Sequence, residues 1–137
     1  MTYKFSGILT SDFYIEEGID LKNIYSIRKI DSPFKGSGIY LPMYSDRDPN
    51  EEEIIKIVNS VGLSKSDNWL FINYICWAGR IDYVYAYLNS CGKITGPVEE
   101  SDLNKTSDLF VNIMEGFGVP KEKALDFKPF YRGFWNE

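Results

Sequence analysis

Residues 68–88, NWLFINYICWAGRIDYVYAYL, decide the fold. From Asn68 the apolar pattern has period two: Trp69, Phe71, Ile75 and Trp77 fall on one face with Asn73 among them, and Leu70, Ile72, Tyr74 and Cys76 fall on the other. Apolar side chains on both faces describe a strand covered on both sides, at the centre of a sheet. Ala78-Gly79 offers a turn, after which Ile81, Tyr83, Tyr85 and Tyr87 alternate with Asp82, Val84, Ala86 and Leu88. The stretch reads as a central aromatic hairpin. Its row of three tyrosines fits packing beneath a helix better than stacking on bases.

Working outward, NSCGKITG predicts a turn at Gly92 and a short strand from Lys93 to Thr95. Upstream, DPNEEEIIKIVNSVG predicts a helix over 49–61: Asp48 as N-cap, Pro49 at the first helical position, Glu51 in the capping box and Gly62 as the stop. Ile54, Ile55, Val58 and Val61 form its apolar stripe, and the charges of Glu51, Glu52 and Glu53 suit the positive end of the helix dipole. Downstream, TSDLFVNIMEGFG predicts a helix over 107–117 capped by Thr106 or Ser107, and Pro120 opens a brief helix over 120–125. Near the N-terminus, YKFSGILTSDFYI reads as one or two short strands around a turn at Gly7 or Ser11; residues 16–30 fit a helix or a strand equally. GIYLPMY reads as a short strand whose Pro42 marks an edge or a bulge, and the ring-rich DFKPFYRGFWNE is expected to dock on the body. The whole is an expected single α+β domain over 1–137, a mainly antiparallel sheet packed by two or three helices.

A chain of 137 residues can bury roughly two-thirds of the surface it exposes when unfolded. Aromatic residues make up 16%, which argues against disorder. Fifteen Lys and Arg against twenty Asp and Glu give a net charge of −5, so nucleic acid and anionic membranes are not expected partners, whereas a basic protein is steered inward. No basic leader with a long apolar segment and no run of spanning length appears, so a cytoplasmic location is expected. There Cys76 and Cys91 stay reduced, Cys76 as a small core residue and Cys91 in an exposed turn.

The chain contains no histidine, which removes Ser/His and Cys/His dyads, common zinc sites and the usual general base near neutral pH. FKGSGIY and CGKITG match no phosphate-loop or dinucleotide fingerprint. Arg80 and Asp82, two residues apart on a strand, read as a surface ion pair beside Tyr83. No catalytic residue, metal or cofactor is therefore expected. Two acidic clusters are left: Asp46, Asp48, Glu51, Glu52 and Glu53 in SDRDPNEEE, and Glu99, Glu100 and Asp102 in the loop EESD. Neither has calcium-loop spacing. With Tyr83 and Tyr85 exposed on the hairpin, they form an expected contact surface for a basic partner.

In size, acidity, aromatic richness and absence of catalytic groups, the chain resembles the small acidic immunity proteins of bacterial polymorphic toxin systems, including contact-dependent growth inhibition. NWLFINYICWAGRIDYVYAYLNSCG and FKPFYRGFW carry the resemblance. It implies a protein, not an enzyme, that binds one cognate toxin domain, often a basic nuclease, and blocks its active site or substrate path as a monomer or weak dimer. Two alternatives stand beside it. One is a small carboxylate/tyrosine-based enzyme or ligand-binding domain with a pocket along Trp69–Tyr87. The other is an inert assembly subunit that hides a large apolar patch by self-association.

Overall fold

A computed structural model describes residues 2–11, 18–20, 25–31, 34–44, 46–64, 67–77 and 80–124. Among the described residues the β-rich composition is used in seven strands: β1 (Thr2–Ser11), β2 (Gly18–Asp20), β3 (Tyr25–Ile30), β4 (Gly36–Tyr40), β5 (Trp69–Trp77), β6 (Arg80–Ser90) and β7 (Lys93–Glu100). They form one sheet in the order β2-β3-β4-β1-β5-β6-β7, antiparallel throughout. Helix α1 (Glu51–Ser60) packs on one face, and α2 (Thr106–Phe117) with the short α3 (Lys121–Ala124) packs on the other. The architecture is α+β and mostly sheet. No helix among the described residues is long and apolar enough to cross a membrane. The Ala78-Gly79 turn and the ring-rich segment 127–135 lie outside the described residues.

The N-terminal strand is longer than its sequence predicts, because Gly7 lies in mid-strand. A Cβ there would come within 2.3 Å of the Ile39 carbonyl oxygen, so this glycine permits close approach of β4 and makes no turn. The ambiguity over 16–30 resolves, within the described residues, as strands β2 and β3. β4 is interior, between β3 and β1. Pro42 follows it in a short 3-10 turn (Pro42–Tyr44), where it withdraws no donor from the sheet, so the expected edge or bulge is not there.

On β5, Trp69 and Phe71 pack on the α1 side while Leu70, Ile72, Tyr74 and Cys76 pack on the α2 side, as the period-two pattern requires. β6 departs from strict alternation. Ile75 pairs with Tyr83 but Cys76 pairs with Ile81, leaving Asp82 as an extra residue in the ladder. That insertion moves Ile81 to the α2 side, away from Tyr83, Tyr85 and Tyr87 on the α1 side. β7 runs on to Glu100, so Glu99 and Glu100 belong to a strand and not to the expected loop. Gly96, at φ 143°, allows this by taking a conformation in which a Cβ would meet the Ala86 carbonyl at 2.8 Å.

Neither helix starts on its predicted cap. α1 is capped by Asn50, not Asp48. The Asn50 side chain accepts from the Glu53 backbone N–H at 2.9 Å, and the Glu53 carboxylate accepts from the Asn50 N–H at 3.2 Å. Ile54 and Val58 are the buried part of its stripe. α2 has no side-chain cap; the Thr106 hydroxyl donates instead to the Ile81 carbonyl at 2.5 Å, tying the helix start to β6. Phe110, Met114 and Phe117 face the sheet, and Gly118 ends the helix at φ 112°.

Candidate functional site

The segment before α1 is where polar chemistry concentrates. Asp48, released from capping, turns down onto the sheet. Its Oδ1 accepts from Asn73 Nδ2 at 2.7 Å, and its Oδ2 accepts from the Tyr83 hydroxyl. Asn73, 4% exposed among apolar neighbours, uses the same amide group to donate to the Tyr44 carbonyl at 3.0 Å. Ser6 donates to that carbonyl at 3.2 Å, and the Tyr85 hydroxyl donates to the Pro49 carbonyl at 2.7 Å. Tyr44, Asp48 and Pro49 are thereby fastened to β1, β5 and β6. Among the described residues no buried side-chain polar atom lacks a partner.

The tyrosines hold their protons firmly. Burial raises the Tyr83 phenol first, followed by its bond to Asp48 and the charges of Asp48 and Glu99. Burial likewise raises Tyr85, assisted by Tyr87, whose hydroxyl lies 3.5 Å away, and by the same two carboxylates. Both phenols therefore serve as hydrogen-bond donors and not as bases. Glu53 moves the other way: the Arg47 guanidinium and the Asn50 backbone N–H lower its carboxyl to about 2.

The expected contact residues divide between the two sides of the sheet. Asp46 is exposed and pairs with Lys4 at 3.5 Å; Glu51 and Glu52 are exposed on the first turn of α1; Glu53 is engaged by Arg47 and its own cap. Glu99 sits opposite Tyr85 on β6, so it shares the α1 side. Glu100 sits opposite Val84 and thus faces the α2 side, where its carboxylate accepts from the N–H groups of Ser101 and Asp102 at 3.2 Å each. Asp102 accepts from the Asn104 N–H at 2.9 Å as part of the turn into α2. The two acidic clusters therefore do not make one continuous surface. Tyr83 is half-buried and Tyr85 is 8% exposed, so Tyr85 is not the exposed residue its place in the hairpin predicts.

Sequence reasoning passed over Asn73, whose signal was an amide in an otherwise apolar strand, and Lys4. The Arg80–Asp82 pair read from spacing is present at 3.3 Å, with both side chains partly exposed. Among the described residues no group of three or more His, Cys, Asp or Glu could hold a metal ion. Comparison of the chain with protein-family models, with curated proteins and with solved structures returned no match.

Proposed function

We propose that this chain is an immunity-type inhibitor, a protein that binds the basic surface of a cognate bacterial toxin domain and obstructs its active site or substrate path. One observation carries the reading. Among the described residues, ion pairs compensate Asp46, Glu53 and Asp82, whereas Asp48, Glu51, Glu52 and Glu99 have no cationic partner. These four lie on the α1 side, where their charge attracts a basic domain and speeds encounter. The packing supports a binder as well. Trp69, Leu70, Phe71 and Ile72 are 0–1% exposed, so the hairpin fills the core on both sides.

The test asks whether a gene beside this one encodes a secreted protein with a C-terminal toxin domain, and pairs this chain with that domain. The toxin domain alone is expected to arrest growth, and co-expression of this chain is expected to restore growth with a 1:1 complex; absence of both rescue and complex removes the reading. In that complex, reversing Glu51 and Glu52 to lysine is expected to slow association about tenfold at low salt, and much less at high ionic strength where screening is short-ranged. Stopped-flow association rates across a salt series measure this.

A further inference from the structure

Strand β7 ends the sheet, with β6 on one side and, among the described residues, no strand on the other. Its residues are exposed or half-buried throughout, so its outer edge is open. The hairpin fixes which backbone groups point out along that edge. Ser90 and Lys93 close the two-residue turn Cys91-Gly92 as a pair, so Lys93 and Thr95 turn their N–H and C=O groups toward β6 and Ile94 turns its own outward. Leu88 pairs with Thr95 but Ala86 with Val98, which leaves Gly96 and Pro97 together opposite Tyr87. Beyond this extra residue the backbone of Val98 and Glu100 faces β6, and that of Glu99 faces outward.

A partner strand must offer outward groups at the same spacing, and β7 itself does. Two copies laid antiparallel about a two-fold axis between Gly96 and Pro97 set Ile94 opposite Glu99 and Lys93 opposite Glu100. Outward residues then meet outward residues, and the two interruptions face each other across the axis. The side chains agree with this register. Through their pairing with Ser90 and Val84, Lys93 and Glu100 both point to the α2 side, while Ile94 and Glu99 both point to the α1 side. Charge favours it as well. Among the described residues no ion pair engages Lys93, and Glu100 accepts from backbone N–H groups with no cation beside it. These two stand at opposite ends of β7, roughly 23 Å apart, and cannot meet within one chain. The two-fold copy brings them together twice. Other registers that match the outward groups fail: an axis through Glu99 sets it against itself, and one through Ile94 gives Lys93 only Thr95. The net charge of −5 on each copy and the short edge keep such an association weak.

We propose that the outer edge of β7 is a self-association surface, through which two copies join their sheets about a two-fold axis, held by backbone bonds between Ile94 and Glu99 and by two reciprocal ion pairs between Lys93 and Glu100. The axis is perpendicular to the joined sheet, so both α1 helices lie on the same side of it. The interface is independent of the inhibitory role and is tested without a toxin. Sedimentation equilibrium and two-dimensional NMR follow the full-length ¹⁵N-labelled chain over a concentration series reaching about 1 mM. The variants are Lys93→Glu and Glu100→Lys, each alone and then mixed in equal amounts.

The expected result is a reversible monomer–dimer equilibrium, with concentration-dependent shifts and slowed hydrogen exchange at the Ile94 and Glu99 amides. Each reversal alone weakens self-association about tenfold, because it replaces two attractions with two repulsions, while circular dichroism is unchanged. The mixture regains wild-type affinity, since each variant then carries the charge the other lacks at both ends of the strand. That recovery is specific to this register. A chain that stays monomeric throughout the series overturns the proposal and leaves Pro97, the extra residue and the edge charges as guards against strand pairing. Dimerisation with the Ile94 and Glu99 amides unmoved, or a mixture no tighter than its components, overturns it equally.

Discussion

The two sides of the sheet are packed by different chemistry. On the α2 side Phe5, Leu9, Leu70, Ile72, Phe110 and Met114, all 0–1% exposed, meet with few polar groups between them, and Tyr74 stacks on Phe110 at 5.4 Å. On the α1 side the apolar set of Ile8, Ile39, Phe71 and Trp69 is interrupted by Ser6, Asn73, Tyr83 and Tyr85, whose hydrogen bonds fix Tyr44, Asp48 and Pro49 in place. The first side supplies adhesion without direction. The second holds a loop and its carboxylates in one orientation, which adhesion alone cannot do, since apolar burial is non-directional and hydrogen bonds are not. The proposed recognition role rests on the second.

That contrast can be broken by substitution. Phe110→Ala on the α2 side is expected to cost about 3–5 kcal/mol in urea unfolding, through lost burial and a residual cavity, with partner binding intact wherever the variant remains folded. A loss of binding out of proportion to stability would erase the difference between the sides. Asn73→Ala is expected to cost about 2–3 kcal/mol, because it strips donors from a carbonyl and a carboxylate at once. It should also loosen the chain around Asp48, seen as faster amide hydrogen exchange at Tyr44, Asp48 and Asn50, whereas Phe110→Ala should accelerate exchange in α2.

Smaller effects sharpen the picture. Tyr83→Phe is expected to cost about 1–2 kcal/mol by removing a donor to Asp48. It also carries a pH signature. The folded phenols of Tyr83 and Tyr85 titrate above their ordinary 10.0, so the unfolded chain loses these protons first. Their contribution is fully present below pH 10 and is lost as pH rises beyond it, and the alkaline decline should be shallower in Tyr83→Phe. Asn50→Ala is expected to cost about 1 kcal/mol as a lost cap. Glu53→Gln gives the smallest change, confined to acid. The Glu53 carboxyl, lowered from 4.5 to about 2, contributes above pH 4.5 and loses that contribution as pH falls toward 2, so the wild-type acid decline across this window should flatten in the variant.

Much of the architecture was legible in the residues. Period-two apolar runs placed β5 with covered faces on both sides, and the stripe of Ile54 and Val58 placed α1. The errors share one cause. Asp48 and Asn50 are both good caps two positions apart, and local preference cannot rank them; Asn73 and Tyr83, distant in sequence, claim Asp48 and leave capping to Asn50. Gly7 resembles a turn residue until β4 and β1 approach so closely that no Cβ fits. The extra residue at Asp82 carries no local mark, yet it reassigns Ile81 to the opposite side.

Residue type and period, which act over a few neighbours, were enough to establish an acidic, histidine-free, sheet-rich chain with a capped helix and an aromatic core. Folding alone separated Glu99 from Glu100 across the sheet, freed Asp48 to face inward and left Trp77 half-exposed. Those outcomes depend on strand register and packing, which are set jointly by segments far apart in the chain and absent from any one of them.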